Sequence, residues 1–273
     1  MEPDKAINPY QSPSAEVISA SSDTDTDIDF IDGGQTVPMS NGLSWIGTGW
    51  SIFTQAPIAW IVCTIIIFVI TVVLGFIPII GQLISNVLFV VFAGGLMLGC
   101  QQQHIGRPFE IGDLFSGFKE KAGPLMIVGL LFIASSILLL IIAGVLFAIF
   151  VGSTGLFGAM MSGNQEALTG LFAGSIMMVL LIGLVMLALT VPIVMALWFA
   201  PALVALQNIA PIAAMRMSFF ACLKNILPFL LYGIIFFVIL FIAVLPFGLG
   251  LLVALPLAYA STYAAYRDIF LAE

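Results

Sequence analysis

The sequence predicts an all-α membrane protein with six transmembrane helices, and three observations carry that expectation. Hydrophobic residues make up 62% of the 273 positions and charged residues only 8%, with a mean hydropathy of +1.21. A soluble domain needs about a quarter charged residues to cover its surface, so the outer solvent of this chain must be lipid. The apolar residues are gathered into stretches matching the roughly 20 residues needed to cross about 30 Å of hydrocarbon. The charges, finally, are segregated along the chain.

Residues 1–40 read as a disordered acidic cytoplasmic tail, and residues 41–273 as the membrane domain. Ser, Thr, Asp, Pro and Gly dominate the tail and no apolar period emerges. Eight of the fourteen acidic residues lie within the first 32 positions, with only Lys5 against them. Beyond residue 36 six basic residues face six acidic ones, so the membrane domain is neutral. A basic nucleic-acid patch is absent. The polar, acidic start lacks the basic region and apolar run of a cleavable signal, so the first span is expected to act as an uncleaved anchor.

The first span is expected at Ala56–Phe76 and the second at Ile80–Cys100, joined by a tight turn at Ile77-Pro78. The third is Leu125–Phe150. The fourth runs from near Leu171 to Trp198 as one tilted helix, kinked at Pro192, which leaves the Ala188 carbonyl without its helical partner. The fifth is Pro228–Leu245 and the sixth Phe247–Tyr266, divided by Pro246 and Gly248. Six spans put Lys5, Arg107, Lys119, Lys121, Arg216, Lys224 and Arg267 on one side and none of the basic residues on the other, where Glu166 lies. The basic side is cytoplasmic by the positive-inside rule, which places both termini in the cytoplasm of a bacterial inner membrane.

Each odd-numbered span is preceded by an amphipathic stretch and then a proline. Before Pro57, residues Leu43, Ile46, Trp50 and Phe53 share one helical face. Before Pro124 come Ile111, Leu114, Phe115 and Phe118. Before Pro228 come Met215, Phe219 and Leu223, with Arg216 and Lys224 outside the stripe. Amphipathic connectors are common in polytopic proteins. The alternative is three hairpins, each preceded by a cytoplasmic interfacial helix and related by an axis along the membrane normal. Trp45, Trp50, Arg216, Lys224 and Arg267 are the expected interfacial anchors.

The six spans contain no Asp, Glu, Lys, Arg or His, which counts against proton relays and ion-coupled pumping. Gln82 and Asn86, four apart on one helical face, would line a polar cavity or supply interhelical hydrogen bonds. Gly95 and Gly99 fit the small-residue spacing for close helix approach, as do Gly170 and Gly174. His104 with Cys100 makes two metal ligands without a third. The Asp23–Asp29 ladder departs from a calcium loop, with Ile28 at the required glycine and Gly34 at the required glutamate. Met160 and Met161 are a weak copper motif, and Cys63, Cys100 and Cys222 form no disulfide or CxxC pattern. No nucleophile elbow, phosphate loop, zinc-protease or dinucleotide motif occurs. The expectation is therefore a protein with no cofactor or metal and no enzymatic activity.

Four stretches together resemble an uncharacterised family of bacterial inner-membrane proteins over residues 42–270. They are the run from Trp45 through Gly49-Trp50 to Pro57, Asp113-Leu-Phe-Ser-Gly-Phe118, Phe199-Ala-Pro-Ala-Leu203, and Tyr263-Ala-Ala-Tyr-Arg-Asp-Ile-Phe270. The last is the most specific. The resemblance implies a helical membrane domain and carries no activity or functional residues with it. Asn8-Pro-Tyr-Gln-Ser-Pro13 is a short linear element similar to the opening of other bacterial membrane proteins. Two functions compete. The first is a non-enzymatic scaffold or accessory protein engaging lipid, membrane-protein partners or further copies of itself. The alternative is a passive channel or transporter for a small, weakly polar solute, lined by Gln82, Asn86 and Ser/Thr side chains.

Overall fold

A computed structural model of the chain describes residues 29–153, 161 and 165–272. The Asn8–Pro13 element, most of the acidic ladder and Met160 lie outside them. The chain folds as α1 (Asn41–Gln55), α2 (Pro57–Gly75) and α3 (Ile80–His104), then a 3-10 turn (Ile111–Phe115) running into α4 (Ser116–Glu120). There follow α5 (Ala122–Ser153), α6 (Gln165–Trp198), α7 (Ala200–Gln207), α8 (Pro211–Lys224), α9 (Ile226–Val244) and α10 (Leu251–Phe270). The only β feature among the described residues is one antiparallel bridge, Phe30 to Leu271.

Five helical stretches are long and apolar enough to cross a membrane: Pro57–Gly75, Ile80–His104, Ala122–Phe150, Met178–Gln207 and Ile226–Val244. The expected sixth span falls on α10, which is not among them. The reason is visible in its packing. Ala254, Leu257, Ala260, Ser261, Tyr263 to Arg267, Ile269 and Phe270 are all buried, so neighbouring helices form much of its surroundings and its sequence need not satisfy lipid. The opposite case is α6. Between residues 178 and 194 only Met178, Ile182, Met186, Thr190 and Ile193 are partly covered, one stripe at helical spacing, and cover becomes continuous from Met195 to Trp198; the helix continues through Pro192.

All three amphipathic stretches are helical, and each lies on a neighbouring long helix: α1 on α10, the 3-10 turn with α4 on α3, and α8 on α6. Small residues permit these approaches. A side chain at Gly49 would come within 2.7 Å of the Ser261 nitrogen. A side chain at Gly95 would strike the Leu114 carbonyl, one at Gly99 the Phe109 ring, and one at Gly117 the Val91 carbonyl. The Gly95/Gly99 pair thus receives the chain between α3 and α5. On α8, Ser218 donates to the Met195 carbonyl at 2.6 Å and accepts from the Phe199 amide at 2.9 Å.

The ordered packing begins earlier than the expected boundary at residue 40. Phe30 stacks on Phe270 with centroids 6.0 Å apart. The Ile31 and Gln35 amides donate to the Phe270 and Ile269 carbonyls, each at 2.8 Å, and the Ala272 amide donates to the Asp29 carbonyl at 3.0 Å. Val37 is buried. Residues 29–37 therefore form a strap across the end of α10. Its attachment is made by backbone bonds and single apolar residues, which leave no periodic signal.

Candidate functional site

The buried polar side chains collect at one end of the bundle, where α3, α6 and α10 finish and α2, α5 and α9 begin. Asp268 is the hub. Its carboxylate accepts from Trp45 Nε1 at 2.7 Å and Asn41 Nδ2 at 2.9 Å, and its backbone carbonyl accepts from Gln35 Nε2 at 2.9 Å. One residue thereby joins α1, the strap and α10. Two side-chain donors of α1 converge on one carboxylate, so this is a firm attachment for the start of α1.

Two of the expected interfacial anchors lie inside the protein. Trp45 is 2% exposed and Arg267 9%, so both side chains are covered by the protein itself. Trp45 is drawn inward because its indole N–H has a carboxylate partner on α10, and its ring packs on Phe229 and Tyr232 at 5.2 and 6.2 Å. Arg267 lies among the ring systems of Tyr263 and Tyr266. Tyr266 accepts from Gln207 Nε2 at 2.7 Å and stacks on Phe270. Trp50 is half-exposed and Arg216 exposed, over the Phe220 ring at 5.9 Å. Lys224, also exposed, donates to the carbonyls of Gly33 and Gly34 at 3.1 and 3.2 Å.

Gln103 and Asn225 act as further cross-links. Gln103 accepts from Trp60 Nε1 at 3.3 Å and donates to the Ile52 carbonyl at 3.1 Å, tying α1, α2 and α3 together. Trp60 stacks flat on Phe109 at 4.3 Å. Asn225 is fully buried. Its Oδ1 accepts from the Val37 amide, and its Nδ2 donates to the carbonyls of Gln35 and Ala221, all at 2.9 Å. Lys121 Nζ donates to Asn208 Oδ1, linking the start of α5 to the residue that closes α7.

Several span hydroxyls are spent within their own helices. Thr64, Thr71, Ser135, Ser136, Thr190 and Thr262 each donate to the carbonyl four residues earlier, a bond that satisfies a hydroxyl without a partner helix. Gln82 is exposed and Asn86 half-buried. An open apolar groove of about 670 Å³ lies between α1, α9 and α10, lined by residues such as Ile46, Trp50, Ile239 and Val253. The crevice beside Thr71 and Ser85 holds about 20 Å³, room for a single water.

The three cysteines are buried. Burial pushes the Cys222 thiol up to about 12, partly opposed by a hydrogen bond with Ser218. A thiol this high stays protonated at neutral pH and is a poor nucleophile. Among the described residues no three of His, Cys, Asp and Glu gather as metal ligands. Sequence reasoning missed Asp268, Asn41, Gln103 and Asn225 as cross-links. The available signal was their position: solitary amides and a carboxylate at the ends of apolar stretches, where an unpaired polar group is costly. No family model, curated protein or solved structure matches the chain.

Proposed function

We propose that this protein is a non-enzymatic scaffold or accessory protein of the bacterial inner membrane. In this reading it has six spans, both termini are cytoplasmic, and it works by presenting its cytoplasmic end and acidic tail to lipid or protein partners. The observation that carries the proposal is the use made of the buried polar groups. Asp268, Gln103, Asn225 and Ser218 all fasten one segment to another, and the hydroxyls of Thr64, Thr71, Ser135, Ser136, Thr190 and Thr262 bond their own helices. Gln82 and Asn86, the residues a solute path would need, lie exposed and half-buried. Polar side chains used as fasteners describe a rigid platform better than a conduit.

The architecture supports this reading as three units of interfacial segment plus hairpin. Taken in order, the units are α1 with α2–α3, the 3-10 turn and α4 with α5–α6, and α8 with α9–α10. Each interfacial segment lies on the second long helix of the preceding unit, and that of the first unit lies on the second long helix of the third. The relation is cyclic, as an axis along the membrane normal requires. In this reading Lys119, Lys121, Arg216, Lys224 and Arg267 share one end, the cytoplasmic one under the positive-inside rule.

Solute flux separates this proposal from a channel. Liposomes carrying the purified chain should shrink in glycerol or urea gradients at the rate of empty liposomes. A saturable flux abolished by Gln82→Ala or Asn86→Ala would replace the scaffold reading with the channel.

A further inference from the structure

The turns that close α2–α3 and α9–α10 are built alike. In each, a proline is followed by a non-glycine residue with positive φ: Ile79 at 62° after Pro78, and Phe247 at 55° after Pro246. In each, a glycine lies against the backbone of the residue seven positions earlier. A side chain at Gly81 would strike the Leu74 carbonyl, and one at Gly250 would come within 2.6 Å of the Ala243 backbone.

The chemistry of these turns is unusual for loops in water. Residues 75–81 and 244–252 contain no polar side chain. Phe76, Ile79 and Phe247 are exposed by 81%, 78% and 101%. A turn facing water would place Gly or Asn at the positive-φ position. These two carry a bulky apolar group there instead. Their backbones are also largely self-satisfied. The amides of Phe76, Ile77, Ile80 and Gly81 bond to carbonyls between residues 73 and 78, and those of Leu245, Gly248, Leu249 and Leu251 to carbonyls between 242 and 248. Backbone satisfied internally beneath apolar side chains is what a hydrocarbon environment demands.

Helix length places the turns at the corresponding depth. The 19 residues of α2 and of α9 reach about 28 Å at 1.5 Å per residue, about the thickness of the hydrocarbon layer. They do not lift the turns beyond it. The 32 and 34 residues of α5 and α6 reach about 48–51 Å.

We infer that the tips at Ile79 and Phe247 stay in the apolar edge of the far leaflet, with bilayer lipid as their partner, and that only the α5–α6 hairpin emerges into water on that side. The inference rests on the membrane-hairpin reading above. Spin labels at I79C, F247C, F76C and L249C test it, with M161C as the water-exposed comparison, since Met161 is 77% exposed at the α5–α6 end. The three native cysteines are buried and leave these sites distinct. The labelled chain is reconstituted in phosphatidylethanolamine/phosphatidylglycerol liposomes, with oxygen and a water-soluble nickel chelate on both sides. Labels at positions 76, 79, 247 and 249 should collide with oxygen more than with nickel, and the label at 161 the reverse. Nickel-dominated collisions at 79 and 247 in a chain that floats with the liposomes would overturn the inference and leave the hairpins standing. A chain that does not float would remove both. Protection from both relaxing agents, with dipolar broadening between labels, would assign the tips to a second copy and overturn the lipid assignment.

Discussion

Replacing Asn225 by alanine removes the fastener between the strap and the bundle, and its cost follows from the geometry. Asn225 has no exposed surface and makes three hydrogen bonds of 2.9 Å. The bond to Ala221 lies within the same stretch of chain and contributes least to tertiary stability. The other two hold the Val37 amide and the Gln35 carbonyl, each worth about 1 kcal/mol net. The Val37 amide then remains buried without an acceptor, a further penalty of about 1–3 kcal/mol. Gln35 is exposed, so its carbonyl regains water at little cost. The total loss is about 3–5 kcal/mol, which in a chain of this size lowers the melting temperature by about 6–20 °C. A thiol-reactive dye followed during heating in detergent reads the transition directly, because all three cysteines are buried until unfolding. Asn225→Asp should be at least as damaging at neutral pH, since it turns a donor facing two carbonyls into an acceptor. Truncation ending before Asp29 should leave the transition in place, while truncation through Val37 should lower it as far as Asn225→Ala does. A shift for Asn225→Ala within about 2 °C would refute the strap.

Gly49→Leu tests the seating of α1 on α10. Its Cβ would meet the Ser261 nitrogen at 2.7 Å and Cα at 2.9 Å, backbone atoms that cannot turn aside, so a loss of at least about 1–3 kcal/mol is expected by thermal melting. Gly47→Leu on the same helix, where a side chain meets open space, should melt within about 2 °C of the parent. Cys222, with its thiol raised to about 12 by burial, should react with maleimide at pH 7 far more slowly than an unfolded-chain thiol. The sign of the linkage follows: a thiol that holds its proton more tightly when folded stabilises the fold below pH 9 and loses that contribution as pH rises toward 12. Mass spectrometry of labelling against time, native and denatured, checks the rate.

The long apolar helices were legible because lipid as solvent imposes composition and length together, and both can be counted along a chain. The three amphipathic stretches were legible for a related reason: a helix with one apolar face repeats its signal every three to four residues. The fasteners have no period. Asp268 reads as a terminal charge and Gln103 as one of three glutamines, and only the fold shows which side chain each one meets. By sequence Trp45 reads as a headgroup anchor, because tryptophan favours that layer. Gly49 lets α1 approach α10 closely, and the indole donates to Asp268 instead. Residues 29–37 read as tail by sequence because backbone hydrogen bonds hold them, and hydropathy does not register backbone bonds.

The central claim is the arrangement of three hairpins with both termini on the basic side, and paired reporters scanned along the chain test it most directly. One reporter is active only in the cytoplasm and the other only beyond the membrane. Fusions after Lys121, Lys224 and Glu273 should be active only with the cytoplasmic reporter, and a fusion after Glu166 only with the external one. Cytoplasmic activity at Glu166, or external activity at Lys224 or Glu273, would contradict the six-span arrangement.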